Sequence, residues 1–242
     1  MNLTKRLTRR TIAVVTAFLM TGVAVVAVPT AAGADGHDTA TYEITITNVT
    51  DGQYLTPPNW AAHGTNASVF DLGSSASPGV TAVAEDGGVP VLAGELVSAL
   101  DDTGLGDSGV AVPAEGPPPI FPGASRTFTV STEFDRLSIV AMIICTNDGF
   151  AGLDSKKLPN AVGQTKQYNL QGYDAGTELN DELDANIVPA PFCIDGTVGS
   201  TNGTSTDGVI KRHTGIDGVG NLNPDVYDWK GPVATISIER VG

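Results

Sequence analysis

Residues 137–144, LSIVAMII, make a nearly unbroken apolar run that stops abruptly at the polar, glycine-flanked stretch CTNDGFAGLD (145–154). Eight residues without alternation are too few for a buried helix and suit a strand covered on both faces. Whatever fold holds this chain must therefore place layers above and below one central strand. Other segments alternate instead. TYEITITN (41–48), SRTFTVST (125–132), the start of TKQYNLQG (165–172) and ATISIERV (234–241) each present one apolar face, as half-buried strands do. The 29 glycines and 15 prolines punctuate these runs, and GPPPIFPG (116–123) reads as a rigid extended connection. VPVLAGELVSAL (89–100) spaces Leu92, Leu96, Val97 and Leu100 as a short helix would. TVGSTNGTSTDG (197–208) is a low-complexity loop. The pattern predicts an all-β protein, an antiparallel β-sandwich with one or two short helices.

The N-terminus has a different purpose. Lys5, Arg6, Arg9 and Arg10 precede an uncharged apolar stretch, and Ala32-Gly33-Ala34 is a small-residue cleavage site. This reads as a secretion signal over residues 1–34, of the Sec type or, with the Arg9-Arg10 pair, twin-arginine; the competing reading is an uncleaved anchor. Residues 35–40 read as a disordered leader, and 41–242 as one domain. Removing 34 of 242 residues leaves 208, with nine Lys and Arg against 27 Asp and Glu, a net charge of about −18. Such a surface repels nucleic acid and anionic lipid and suits divalent cations. Nothing in the mature part is long and apolar enough to insert into a membrane.

Cys145 and Cys193 are the only cysteines, and an even count in an exported chain predicts a disulfide between them. The chemistry of catalysis is harder to find. There is no G-x-S-x-G elbow, H-E-x-x-H or P-loop, and His37, His63 and His213 are scattered. The chain is therefore expected not to be an enzyme. Loops rich in acid and glycine are another matter, because calcium takes oxygen ligands on tight turns. Asp148 sits at the end of the apolar strand. Asp174, Glu178 and Asp181 cluster in GYDAGTELNDELD (172–184). No EF-hand spacing is present, so any site must be assembled from separate loops. The alternative is that these acids are solvated loop residues.

Four segments, YEITITNVTDGQYLTPP (42–58), ASPGVTAVAEDGGVPVLAGEL (76–96), LSIVAMIICTNDGFAGLD (137–154) and YDAGTELNDEL (173–183), together resemble the spondin N-terminal domain family, over about residues 41–241. The resemblance implies a C2-like β-sandwich that binds one Ca2+ ion at one end. It implies Glu133, Asp148 and Asp174 as the ligands, with Asp135 a rival to Glu133, and Glu178 and Asp181 as additional or supporting acids. Animal members carry a proline-rich P-S-P-D-W turn where this chain has Cys145-Thr146-Asn147-Asp148-Gly149-Phe150. A Cys145–Cys193 bridge would replace the rigidity those prolines supply. The family further implies an adhesion or ligand-binding module with an extracellular or cell-surface partner, and Tyr54, Trp60 and His63 are a candidate ligand patch. Two other readings stay open: a cell-envelope protein whose metal only stabilises, and a hydrolase using the acidic rim with His63.

Overall fold

A computed structural model describes residues 38–111, 119–187, 193 and 202–242. The secretion signal, the first part of the 35–40 leader, residues 116–118 of the 116–123 connection and the start of the 197–208 loop lie outside the described residues. Strand β1 (Ala40–Asn48) opens the domain, followed by β2 (Asn59–His63). Helices α1 (Pro78–Asp86) and α2 (Val89–Leu96) come next, and one π-helical turn, Val97–Asp101, extends α2. Then come β3 (Gly106–Val110), β4 (Ser125–Thr132), β5 (Arg136–Met142), β6 (Gly149–Lys157) and β7 (Thr165–Asp174). The two-residue β8 (Lys211–Arg212), the single turn α3 (Pro224–Tyr227) and β9 (Ala234–Arg240) complete the described residues.

All strand pairings are antiparallel, in the order β3-β2-β5-β6-β7-β9-β1-β4, with β8 beside β7. Two layers arise because β7 changes partner half-way. Thr165 to Leu170 pair with β9, whereas Gln171 to Asp174 pair with β6. The result is an all-β sandwich, as the periodicity predicts. One layer is β4-β1-β9 with the first half of β7, and its alternating residues Tyr42, Ile44, Ile46, Ile236 and Ile238 turn inward. The other layer is centred on β5, where Leu137, Ile139 and Met142 are wholly buried. Helix α1 explains why β5 lacks alternation, since it packs against β5 and β6 and buries Val80, Val83 and Ala84. Each large apolar side chain so buried contributes about 1.5–3 kcal/mol.

Helix α1 is absent from the sequence reading, though its punctuation is complete. The Ser77 side chain caps the Val80 N–H, Pro78 takes the first turn, and Gly87 closes the helix in the left-handed region at φ 63°. Strand β6 is also absent from it, because GFAGLD reads locally as the continuation of a turn. Gly149 and Gly152 do not serve there as turn residues. Neither has a left-handed φ; a Cβ on Gly149 would lie 2.3 Å from Thr146 Oγ1, and one on Gly152 2.7 Å from the Phe70 ring. Cys145 and Cys193 form the predicted disulfide.

Candidate functional site

The antiparallel hairpin β5–β6 carries the buried strand to a rim and back, and Asp148 is the residue just before the return strand. Its backbone carbonyl accepts the Ala175 N–H (3.0 Å), which brings it beside the end of β7. The turn before it is held from several sides. The Thr146 hydroxyl donates to the Ile143 carbonyl (2.6 Å) and accepts the Gly149 N–H (2.9 Å). The buried Gln53 amide clasps the backbone of Cys145, accepting its N–H (3.1 Å) and donating to its carbonyl (3.2 Å). Asn147 accepts the Glu182 N–H through Oδ1 and donates to Asp181 Oδ1. Residue 148 is thus a fixed point.

The DAGT stretch then wraps the Asp148 carboxylate. Gly176 is left-handed at φ 75°, with the Val209 backbone 2.6 Å from where a Cβ would sit, so only glycine fits. That turn directs the Thr177 N–H (2.7 Å) and the Glu178 N–H (3.0 Å) onto Asp148 Oδ2. Asp148 Oδ1 is buried and has no hydrogen-bond partner, and neither has either carboxylate oxygen of Glu178. The two carboxyls differ from ordinary acids accordingly. Burial, then the neighbouring Asp174, holds Asp148 above the usual carboxylate range despite the two backbone N–H groups that favour its charge. Burial, and next Glu85, pushes Glu178 up to about 8. The Gly203 backbone N–H opposes that rise, but both Glu178 oxygens still lack a partner in hydrogen-bond geometry. Glu85 and Asp86 end α1, two negative side chains at the negative end of a helix dipole.

The other predicted ligands fare differently. Asp174 stands at the same rim, opposite Gly149 across the β6–β7 pair. Its oxygens are already engaged, by the Gly176 N–H (2.7 Å), the Asn180 side-chain amide (2.5 Å) and Lys211 Nζ (3.2 Å). Asp181 accepts from Asn147, the Leu183 N–H and the Asn186 side chain. Glu133 and Asp135 do not join the rim. They precede Arg136, which pairs with Lys157, whereas Met142 at the far end of β5 pairs with Phe150. The full length of the strand therefore separates them from Asp148. Among the described residues, no three His, Cys, Asp or Glu side chains converge closely enough to hold a metal ion.

The proposed ligand patch does not form as one exposed surface. His63 is wholly buried, Trp60 is half-buried against Gly109, and Tyr54 packs edge-to-face on Phe121 with ring centroids 5.4 Å apart. His63 also lies opposite Arg136, away from the rim, so it cannot serve as a base there. Sequence reasoning missed Glu182. It is buried, in the left-handed region at φ 54°, and its carboxylate accepts from the backbone N–H groups of Asp217, Gly218 and Val219. Only the Gly-rich run GIDGVGN (215–221), a typical anion-cradling composition, could have signalled it.

The Spondin_N family profile matches residues 58–182, just over half of the chain and the whole path from β2 to the rim. The chain belongs to the spondin N-terminal domain family. A search of curated proteins gives no match. Family membership and the disulfide make this spondin domain an extracellular-type module. Among the described residues no helix is long and apolar enough to cross a membrane.

Proposed function

We propose that this spondin domain is a secreted adhesion or ligand-binding module, not a catalyst, and that it holds one calcium ion at its acidic rim. The observation that supports the metal is the set of orphaned oxygens. Leaving a buried carboxylate oxygen without a donor costs several times what a satisfied one does, unless a cation or a proton takes the place of the donor. Asp148 Oδ1 and both oxygens of Glu178 are such atoms, while Asp148 Oδ2 is already directed by backbone N–H groups. A bound calcium ion supplies positive charge that cancels the repulsion among Asp148, Glu178 and Glu85. Backbone carbonyls and water complete the shell of a hard cation, which suits a rim where, among the described residues, Asp148 and Glu178 hold the buried carboxylate oxygens without partners.

Asp148 and Glu178 thus replace the trio implied by resemblance. Asp174 helps by position: its charge lies beside Asp148, and its own hydrogen bonds shape the Gly176 turn. The partner is an extracellular or cell-surface molecule, engaged beside a rim whose loops the ion stiffens.

Thermal unfolding in chelator and in 1 mM calcium tests the metal. The wild type should gain about 2.7 kcal/mol if 1 mM is a hundredfold above the Kd, a rise of about 5–10 °C for a domain of this size. Glu178→Gln should lose that response. An unchanged midpoint, with no metal found by elemental analysis of the purified protein, would overturn the assignment.

A further inference from the structure

At the opposite end of the central strand, a second buried polar cluster has nothing to do with the rim. The register of β5 and β6 slips there. Leu137 pairs with Lys156 and Ile139 with Leu153, so Asp154 and Ser155 together oppose Ser138. Ser155 sits in the left-handed region at φ 52°, a strained position for a side-chain-bearing residue. Such a bulge re-aims side chains, and here everything is aimed at one hydroxyl. Ser138 Oγ receives the Ser155 N–H (2.9 Å), contacts Asp154 Oδ1 (2.9 Å) and contacts His63 Nε2 (2.8 Å). The other ring nitrogen of His63 lies 2.8 Å from the Gly64 carbonyl. Asp154 Oδ1 also accepts the Val69 N–H (3.1 Å).

Counting hydrogens gives the consequence. The Gly64 carbonyl can only accept, so Nδ1 carries a proton. Two contacts remain, Nε2 to Oγ and Oγ to Oδ1, and the serine has one hydrogen for both. If Ser138 donates to Asp154, Nε2 must be protonated, and the ring is an imidazolium facing a carboxylate through the hydroxyl. If Ser138 donates to Nε2, Asp154 must be a carboxylic acid donating to Oγ. Both arrangements contain one proton more than a neutral histidine and an ionised aspartate, and both are electrically neutral overall. Losing that proton to water leaves a net charge of −1 and one broken contact.

We propose that His63, Ser138 and Asp154 form a one-proton relay, a pH-sensitive clasp that fastens the segment at Val69 and Phe70 to the sheet. Phe70 is the consequence that matters. Its ring lies over Gly152, edge-on to Phe150 (5.1 Å) and Tyr173 (5.0 Å), and it walls a surface groove of about 420 Å3 shared with Asp71, Asp154, Lys156 and Arg212. When the relay loses its proton, one of the two Ser138 contacts, to His63 or to Asp154, is left without a hydrogen, and the bulge that aims Asp154 at the Val69 N–H loses a tie.

The surrounding charges do not imitate this behaviour. Arg136 of β5 lies across from His63 and donates to the Ser155 carbonyl (2.9 Å). Asp107 of β3 accepts from Thr132, Asp101 accepts from Ser108, and Glu95 of α2 accepts the Gly79 N–H. Asp71, Lys156, Tyr173 and Arg212 share the groove. All of these groups are common to the wild type and to variants at His63 or Asp154, so their contributions cancel in the comparison.

The test compares urea unfolding of the wild type, Asp154→Asn and His63→Gln from pH 6 to 9 in chelator. An asparagine turned to donate to Ser138 keeps the His63–Ser138 chain without the extra proton, though it gives up the Val69 N–H contact, and a glutamine at 63 removes the ring; the reading is therefore the pH slope and not the absolute stability. The wild type should lose stability relative to both variants as pH rises, with the folding constant falling by up to about tenfold per pH unit. Parallel profiles would overturn the proposal. Nitrogen NMR of His63 in the wild type at pH 7, with the carbon shift of the Asp154 carboxyl, needs no variant. An imidazolium, or a neutral ring with a protonated Asp154, supports the relay; a neutral ring beside an ionised Asp154 overturns it.

Discussion

Two single residues give this spondin domain opposite responses to acid. Glu178 holds its proton up to about 8 in the fold against an ordinary value of 4.5. The folded state therefore binds more protons than the unfolded chain between those values. Its contribution is complete below 4.5 and is lost as pH rises through about 8. His213 does the reverse. Burial lowers it from 6.5, its Nδ1 accepts the Gly215 N–H, and Nε2 has no partner. The unfolded chain takes up protons first, so this contribution is intact above 6.5 and fades as pH falls. In chelator the wild type should thus destabilise between pH 6.5 and 8, and Glu178→Gln should make that limb shallower, leaving the part that the His63–Ser138–Asp154 relay contributes. If calcium occupies the rim as proposed, saturating calcium should make the limb shallower too, since ion and proton would compete for the same oxygens. His213→Gln should instead let stability go on rising as pH falls below 6.5, because that histidine no longer opposes Glu178 there. The ring lies 5.1 Å from Trp229, so its protonation in the folded protein should also register in tryptophan fluorescence, at a pH below 6.5.

At the scale of elements, the sequence disclosed what depends on local period and concealed what depends on a partner. Strands β1, β4, β5 and β9, the first half of β7 and helix α2 all announce themselves by spacing. Strand β6 does not, because its glycines are chosen by close contacts with Thr146, across the folded turn, and with Phe70, far away in sequence. The bulge at Asp154 exists only in the pairing with β5. Asp148 and Glu178 were legible as acids in the right motifs. That Glu133 sits at the wrong end of β5 was not, since only the hairpin register decides it. The Gln53 clasp was equally hidden, an amide that bonds Cys145 N–H, Cys145 C=O and the Tyr227 carbonyl (2.8 Å). Gln53→Ala strands these buried groups, at about 1–3 kcal/mol each where no water replaces the amide. The urea midpoint should fall clearly with an unchanged slope. The exposed Thr45–Thr127 hydroxyl pair is the control, and Thr127→Ala should stay within about 0.5 kcal/mol of wild type.

For the whole molecule, the disulfide joins the rim to a distant part of the chain. Cys145 and Cys193 are 48 residues apart, and Cys145 is three residues before Asp148. Closing a loop of that length removes about 4 kcal/mol of disorder from the unfolded state in the chain-entropy account. The bridge is not the only restraint on the turn, because Gln53, Thr146 and Asn147 hold it from the folded side. A Cys145→Ala, Cys193→Ala double variant should therefore still fold. Its unfolding midpoint in chelator should fall by about 8–16 °C, at about 2–4 °C per kcal/mol for a domain of this size. Calcium binding supplies a separate reading of the same variant. If the bridge also stiffens the rim, calcium titration should show weaker affinity, because the ion must then pay for ordering Asp148 and the chain beside it. Equal affinity with and without the bridge would assign its whole contribution to the unfolded chain and leave Gln53 and the 176–178 turn as the devices that aim the carboxylates.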